Sequence, residues 1–206
     1  QCANFKAGSY VKFRLTNSDG KYLTHPPVKY TNFNYNMTNR LFNLGMDPLE
    51  KSFKIIYNNL FEAVKKRVIT METNLACLLS GGLDSSLITA LVAKFVPSGQ
   101  LQTYSIGMPG GSDLQYAKKV ANHINSNHTE IMISENEFLQ NIEEVIYQIE
   151  SYDTTTVRAS VGNYLVAKYI SENSDAKVIF NGDGSDELTG GYMYFHNCPN
   201  NIEFDY

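Results

Sequence analysis

The sequence predicts an α/β fold in which a doubly wound parallel sheet is covered by helices on both faces. Three observations support this prediction. From residue 75 onward, short apolar runs alternate with amphipathic stretches of helical spacing. Two of the apolar runs are followed by glycine-rich polar loops. The chain has 206 residues, 43% of them hydrophobic, which is enough to bury a substantial core.

The opening of the chain, residues 1–46, lacks this alternation. It is rich in Asn, Tyr and Thr, and it carries turn signals at residues 17–20 (Asn-Ser-Asp-Gly) and 25–27 (His-Pro-Pro). Such residues favour tight turns between short extended segments. We therefore predict a short N-terminal hairpin followed by an irregular linker.

A helix start follows at residues 47–50. Asp47 is a favourable cap, Pro48 takes the first helical position, and Glu50 takes the third. The organised domain is predicted to span residues 47–206. Apolar residues then recur at helical spacing and predict one buried face, formed by Leu49, Phe53, Ile56, Leu60, Val64 and Val68.

Strands and helices are predicted to alternate through the rest of the chain. The predicted strands are Leu75–Leu79, Leu101–Ile106, Glu130–Ile133 and Lys177–Phe180. The predicted helices are Leu83–Phe95, Leu114–Ile124, a helix opened by Ser134 and Glu137 and lined by Phe138, Ile142, Val145 and Ile149, and Val157–Glu172. Helical crossovers between strands indicate a parallel sheet, because parallel connections require a long, right-handed crossover.

Composition and charge exclude several classes of function. A formal net charge of -4 argues against a nucleic-acid partner. No stretch approaches the roughly 20 apolar residues that cross a bilayer, and no secretory signal opens the chain, so we expect a soluble, cytoplasmic protein without a membrane partner. The three cysteines are widely spaced and lack a CxxC pair, which predicts incidental thiols rather than disulfides or zinc ligands.

The first glycine-rich loop lies between a predicted strand and a predicted helix. Gly81 and Gly82 allow backbone amides to point into one concavity at a helix N-terminus, which favours an anion. Ser80 and Ser85 add hydroxyl donors, and Asp84 suits a Mg²⁺ ion bridging to phosphate. The alternative is a turn that only caps the next helix. The loop does not match a Walker A motif.

The second loop, Asn181–Glu187, packs three carboxylates and two glycines after another apolar strand. A solvated acidic loop that caps the next helix is the alternative interpretation. In a doubly wound sheet, ligands bind at the switch point between the first strand and the strand that returns beside it. If Lys177–Phe180 returns beside Leu75–Leu79, both loops face the same nucleotide.

These segments resemble known families. Residues 80–85, Ser-Gly-Gly-Leu-Asp-Ser, resemble the pyrophosphate loop of the ATP pyrophosphatases. Residues 182–196 resemble the equivalent segment of glutamine-hydrolysing asparagine synthetases, and residues 107–114 and 152–160 agree with that family in order and spacing. Residues 7–10 more weakly resemble the end of its glutaminase domain. The resemblance implies a fold of the adenine nucleotide α-hydrolase type.

The resemblance also implies roles for individual residues. The nucleotide, as ATP or AMP with its pyrophosphate, would be bound by Leu79, Ser80, Gly81, Gly82, Asp84, Ser85, Ile106, Asn181 and Gly182. Asp84 and Asp186 would bind Mg²⁺. Thr155, Arg158 and Asp183 would act in catalysis, and Arg158 also suits bidentate phosphate recognition; its alternative is an ordinary exposed helix arginine. Two positions depart from the family, because Asp183 replaces its usual Glu and Asn181 its usual Ser.

The implied activity is ATP-dependent asparagine synthesis, in which aspartate becomes β-aspartyl-AMP and ammonia displaces AMP. Two alternatives remain, namely another amide-forming synthetase of the β-lactam synthetase type and a nucleotide-binding protein without turnover. By the same resemblance, residues 1–46 would be the end of a glutaminase domain with its linker, and residues 47–206 a C-terminally truncated synthetase domain. We therefore expect the isolated chain to bind ATP, to synthesise little asparagine and to hydrolyse no glutamine.

Overall fold

The computed structural model describes residues 5, 6, 8–15, 22–30 and 49–199. The chain divides into two compact units, Gln1–Ile56 and Tyr57–Tyr206. In the smaller unit, strands β1 (Ser9–Tyr10) and β4 (Val28–Lys29) pair antiparallel, as do β2 (Phe13–Leu15) and β3 (Tyr22–Thr24). The β2–β3 pair is the predicted hairpin; the turn predicted at residues 17–20 and the helix cap predicted at Asp47 lie outside the described residues.

Helix α1 (Leu49–Ile69) shows that the predicted apolar face is only partly correct. Val64 and Val68 are buried in the core, with Leu60 packed against them. Phe53 and Ile56, however, are 58% and 55% exposed. The reason is length: a helix of 21 residues extends about 30 Å, whereas a six-residue strand extends about 20 Å. The sheet therefore cannot cover the whole face.

The larger unit contains a parallel sheet of four strands, β5 (Leu75–Leu78), β6 (Gln102–Gly107), β7 (Asn127–Met132) and β8 (Val178–Phe180). Their order is β7-β6-β5-β8. Strand β7 begins at Asn127 rather than at the predicted Glu130. Its first residues are polar, which an edge strand tolerates, so an apolar run could not reveal them.

Five helices connect these strands: α2 (Leu83–Ala93), α3 (Ser112–Ile124), α4 (Glu135–Gln140), α5 (Ile142–Ile149) and α6 (Thr154–Asn173). After β8 come the short helix α7 (Ser185–Thr189) and a 3₁₀ helix at Met193–Asn197. The capping box at Ser134 and Glu137 is confirmed. The single helix predicted after it is wrong, because α4 and α5 are separate. Asn141 lies between them, and its side-chain amide donates to the Glu137 carbonyl at 2.7 Å, which competes with continued helix.

Both faces of the sheet are covered. Cys77 of β5 faces a core that includes residues of α1 and α2, whereas its neighbour Ala76 faces Val166 and Ile170 of α6. Helix α5 packs on α6 through Val145. The alternation of side chains along β5 thus separates two apolar layers, as expected for a strand buried on both faces.

The switch point of the sheet lies between β5 and β8. From β5 the chain proceeds through β6 to β7, and it then returns through α6 to place β8 on the other side of β5. Leu75 pairs with Val178 and Cys77 pairs with Phe180, which confirms the predicted neighbours. The loops after β5 and β8 therefore leave the same edge of the sheet. Within the part of the chain that the structure describes, no helix has the length and apolar content required to span a membrane.

Candidate active site

The first loop runs from the end of β5 to the start of α2. Gly81 has a φ of +85°, and a Cβ at this position would lie 2.5 Å from the Ala117 amide nitrogen on α3. The residue must therefore be glycine, both for its left-handed conformation and for the close approach to α3. Gly82 caps α2 without a side-chain hydrogen bond. The first-turn amides of α2 consequently point out of the helix without intrahelical partners.

Two hydroxyl groups border these amides. Ser80 Oγ lies 2.9 Å from Ser85 Oγ and accepts a hydrogen bond from the Gly82 amide at 3.3 Å. Ser85 Oγ also lies 3.3 Å from the Gly82 carbonyl oxygen. Amides at a helix N-terminus and neighbouring hydroxyls together provide donors for an anion such as phosphate.

The second loop follows β8 and turns into the short helix α7. Gly184 caps α7 with a φ of +90°. Asn181 Nδ2 donates to Asp183 Oδ2 at 2.7 Å, so the Asn181 side chain orients the Asp183 carboxylate. A Cβ on Gly191 would collide with Asp186 Oδ1, which shows how closely the Asp186 carboxylate packs against this backbone.

The two loops touch each other. Ser185 Oγ donates a hydrogen bond to Asp84 Oδ1 at 2.8 Å across 101 residues of sequence. A Cβ on Gly182 would lie 2.6 Å from the Ser85 amide nitrogen and 2.7 Å from the Asp84 carbonyl carbon. Glycine at position 182 is therefore what allows the second loop to approach the first turn of α2.

A polar cleft of about 380 Å³ lies between the loops. It is lined by seven of the residues singled out from the sequence, which are Ser80, Gly82, Asp84, Ser85, Gly182, Asp183 and Asp186. Five further residues line it that were not assigned as site residues, namely Asn163, Gly184, Ser185, Glu187 and Tyr192. Among these described residues four are carboxylates and none is basic, so the cleft is acidic.

Some of the five additional residues could have been found in the sequence. Ser185 and Glu187 belong to the same acidic loop as Asp183, so their position in the sequence already indicates them. Asn163 could not have been found, because it lies on the long helix α6 and carries no local motif. Only the packing of α6 beside the switch point brings Asn163 to the cleft.

The remaining predicted residues do not line the cleft. Leu79 is fully buried beside Ala117 and Ala121 of α3, and Ile106 packs in the layer facing α6. Gly81 turns toward α3, as described above. Asn181 borders a separate, more apolar groove beside α1.

Thr155 and Arg158 also lie outside the cleft, on the first turns of α6, and both are exposed. The helix start is capped by Asp153, which accepts a hydrogen bond from the Thr156 amide at 2.9 Å. This bond, with a second from the Thr156 hydroxyl, lowers the pKa of the Asp153 carboxyl. Within the described residues, the Arg158 guanidinium makes no ion pair, so it is available to an anionic group.

Glu187 and Tyr192 form a pair at the edge of the cleft. Tyr192 Oη donates to Glu187 Oε1 at 2.6 Å. This hydrogen bond raises the pKa of Tyr192 to about 12 and lowers the pKa of Glu187. At neutral pH the pair therefore presents a neutral phenol and an ionised carboxylate.

The carboxylates of the cleft could hold Mg²⁺ only together with oxygens of a phosphate ligand. In the described residues, no three His, Cys, Asp or Glu side chains come together as a self-sufficient metal site. Asp84 and Asp186 both line the cleft. One or two carboxylates combined with phosphate oxygens and water is the usual arrangement for Mg²⁺ in nucleotide sites.

The sheet order and the two switch-point loops define an α/β fold of the adenine nucleotide α-hydrolase type. A glutamine-dependent NAD⁺ synthetase from Acinetobacter baumannii, solved in complex with ADP, shares the fold with a TM-score of 0.52 and 18% identity, over 71% of this chain and 28% of that chain.

The family is shown by sequence comparison. The family model described as asparagine synthase matches residues 56–205. Glutamine-hydrolyzing asparagine synthetases of Rattus norvegicus and Homo sapiens are each 48% identical over 170 residues, covering 80% of this chain and 30% of each relative. The Gallus gallus enzyme is 47% identical over 158 residues, covering 75% of this chain and 28% of the relative. The chain belongs to the asparagine synthase family and spans about 30% of the length of these relatives.

Proposed function

We propose that this chain is the synthetase portion of an asparagine synthetase, which adenylates aspartate with Mg-ATP and lets ammonia displace AMP. The observation that carries the proposal is the contact between the two loops, where Ser185 donates to Asp84 beside the cleft. Family membership supports the substrate assignment, since the relatives are named for asparagine synthesis with glutamine hydrolysis.

The first loop is proposed to bind the polyphosphate. The amides at the start of α2 would hold the phosphate oxygens together with the Ser80 and Ser85 hydroxyls, which lie 2.9 Å apart. Leu79, Gly81 and Ile106 do not line the cleft, so their contribution would be to shape the support for the adenosine. Because donors are preformed in this loop, binding would require little reorganisation.

Asp84 and Asp186 are proposed to hold Mg²⁺, since they lie on opposite loops and line the same cleft. The ion would neutralise charge on the pyrophosphate leaving group. Without it, four carboxylates in the cleft would repel a polyphosphate. This electrostatic conflict is the reason for proposing a metal-dependent nucleotide.

The chemistry proceeds in two displacements. A β-carboxylate oxygen of aspartate attacks the α-phosphorus of ATP, and the bond to pyrophosphate breaks. Ammonia then attacks the acyl carbon, loses a proton, and AMP leaves. We assign Asp183, oriented by Asn181, to the reacting end of the cleft. Thr155 and Arg158, at the start of α6, are proposed to bind the activated substrate or the leaving phosphate.

The ammonia would come from a glutaminase domain in a fuller protein, which is consistent with relatives that are named as glutamine-hydrolyzing. We place the reaction in the cytoplasm. The buried Cys77 forms no disulfide, and unpaired thiols are typical of a reducing compartment.

Nucleotide binding is the first test. Isothermal titration of the whole chain with Mg-ATP should show binding that falls by at least about tenfold in Asp84→Ala, because the variant lacks a metal ligand. Asp113→Ala is the matched control, since Asp113 is also an acidic residue in a first helical turn, that of α3. Equal affinity of the parent and Asp84→Ala would refute the assigned role.

Exchange of labelled pyrophosphate into ATP separates the candidate activities. Exchange that requires aspartate supports the proposal. Exchange that requires a different carboxylic acid instead supports a synthetase of the β-lactam synthetase type. Mg-ATP binding without exchange for any of these acids would identify a nucleotide-binding protein without turnover.

A further inference from the structure

Among the described side chains, one hydrogen bond joins the two cleft loops, and it runs from Ser185 to Asp84. This bond does more than connect the loops. The Asp84 carboxylate lies in the first turn of α2, yet α2 has no side-chain cap hydrogen bond. Asp84 is therefore not used to cap its own helix. Instead, one of its oxygens, Oδ1, accepts from Ser185 at 2.8 Å in a half-buried position.

This arrangement restricts the Asp84 side chain. With Oδ1 held by Ser185, rotation of the carboxylate would break a charge-assisted hydrogen bond. Among the described residues Oδ2 has no hydrogen-bond partner, so it is the oxygen left for a further ligand. Hydrogen bonds that orient a carboxylate ligand are a general means of tuning metal affinity.

We propose that Ser185 is a positioning residue, which fixes the Asp84 carboxylate for Mg²⁺ and so couples the second loop to metal binding at the first. The proposal rests on the Mg-ATP site proposed above. It assigns to Ser185 a role that acts through Asp84 rather than through contact with the nucleotide.

Chain geometry provides a matched control for this role. Thr189 also lies on α7, and its hydroxyl donates to the Ser185 carbonyl oxygen at 2.9 Å. Thr189→Val removes a hydroxyl of the same helix with little change in shape, and it leaves the Asp84 contact intact. A purely structural role of α7 would make Thr189→Val and Ser185→Ala behave alike.

The experiment is a titration of the whole chain with ATP over a series of Mg²⁺ concentrations. Ser185→Ala should raise the Mg²⁺ concentration for half-maximal binding by about 10- to 100-fold, the usual effect of removing an orienting partner. Ser185→Thr, which retains a hydroxyl, should restore most of the affinity, and Thr189→Val should match the parent. Thermal melting of each variant shows that it is folded.

A double-mutant cycle completes the test. Because Ser185 acts through Asp84, the double variant Asp84→Ala with Ser185→Ala should bind Mg-ATP no more weakly than Asp84→Ala alone. Additive losses, an unchanged Mg²⁺ dependence in Ser185→Ala, or an equal effect of Thr189→Val would each overturn the proposal. Failure of the parent to bind Mg-ATP would instead refute the proposed function itself.

Discussion

Individual glycines determine how closely the cleft loops approach one another. Gly81 needs its positive φ, whereas Gly182 is required for a different reason. A side chain on Gly182 would meet backbone atoms of Asp84 and Ser85, at 2.7 and 2.6 Å respectively. Backbone cannot rotate away as a flexible side chain can, so the added carbon would force the loops apart.

Gly182→Ala should therefore destabilise the protein by about 1–3 kcal/mol, as overpacking of a close contact typically does, and it should weaken Mg-ATP binding. Gly162→Ala is the control, because a Cβ on this residue of α6 would meet nothing within 4 Å. Replacing a glycine within a helix should stabilise by about 0.5–1 kcal/mol. Urea unfolding measures both changes. An unaltered midpoint for Gly182→Ala would show that the loops adjust freely.

At the residue scale, the sequence predicts what is local. The tight turn at Gly81 and the helix start after Gly82 could be predicted because glycine at these positions has a direct physical meaning; the binding of phosphate there stays a prediction. The partner of Asp84 could not be predicted, because Ser185 is equally compatible with a helix cap. Ser185 contacts Asp84 although the two residues are 101 positions apart in sequence. Whether Ser185 or a neighbouring residue of its loop makes this contact depends on the register between β5 and β8.

At the scale of elements, strands β6 and β7 carry a cluster of hydrogen-bonded polar side chains between them, referred to below as the polar layer. The spacing of apolar residues in the sequence did not predict it. His128 lies 2.9 Å from Thr103 Oγ1 through Nδ1 and 3.1 Å from Ser105 Oγ through Nε2. Thr103 is fully buried. Burial lowers the pKa of His128 from its ordinary 6.5, although the Glu130 carboxylate opposes this, and Lys118 lowers the pKa further.

Because the pKa of His128 is lowered in the folded protein, the free energy of unfolding should depend on pH. An unfolded His128 takes up a proton below about pH 6.5, whereas the folded one resists protonation. The free energy of unfolding should therefore be maintained above that pH and decrease as the pH falls from about 7 toward 5, with a slope of up to one proton. Urea unfolding at several pH values measures the slope.

His128→Gln, which retains hydrogen-bonding groups but does not titrate, should reduce that slope. His123→Gln serves as the control, because His123 is exposed on α3 and makes no part of the layer; it should retain the parent's slope. Identical slopes for all three proteins would show that other groups govern the acid sensitivity.

The helices illustrate the same limit of sequence reasoning. The order of strands and helices followed from apolar spacing, because each element must bury one face. The break between α4 and α5 did not, since Asn141 lies within an unbroken helical pattern and ends α4 through its own side chain. The Asn141 side chain competes with the backbone for the Glu137 carbonyl oxygen. The spacing of apolar residues carries no information on such a local competition.

At the scale of the whole molecule, the cleft belongs entirely to the unit Tyr57–Tyr206, since its lining residues run from Ser80 to Tyr192. Mg-ATP should therefore slow amide hydrogen exchange in the two loops and leave the exchange of strands β1–β4 unchanged. Mass spectrometry of the whole chain with and without Mg-ATP measures this. Added EDTA should abolish the protection, whereas equal protection of β1–β4 would show that both units respond to the nucleotide.

The strand order also bears on how the protein folds. Strands β5, β6 and β7 are joined by local crossovers and can pair early. The contact between Asp84 and Ser185 closes a segment of 101 residues, and such long closures are entropically costly and kinetically late. During synthesis on a ribosome, the cleft cannot form until the second loop, which ends at residue 187, has left the ribosome. We therefore expect the ability to bind a nucleotide to arise late in the folding of the unit Tyr57–Tyr206 rather than at its onset.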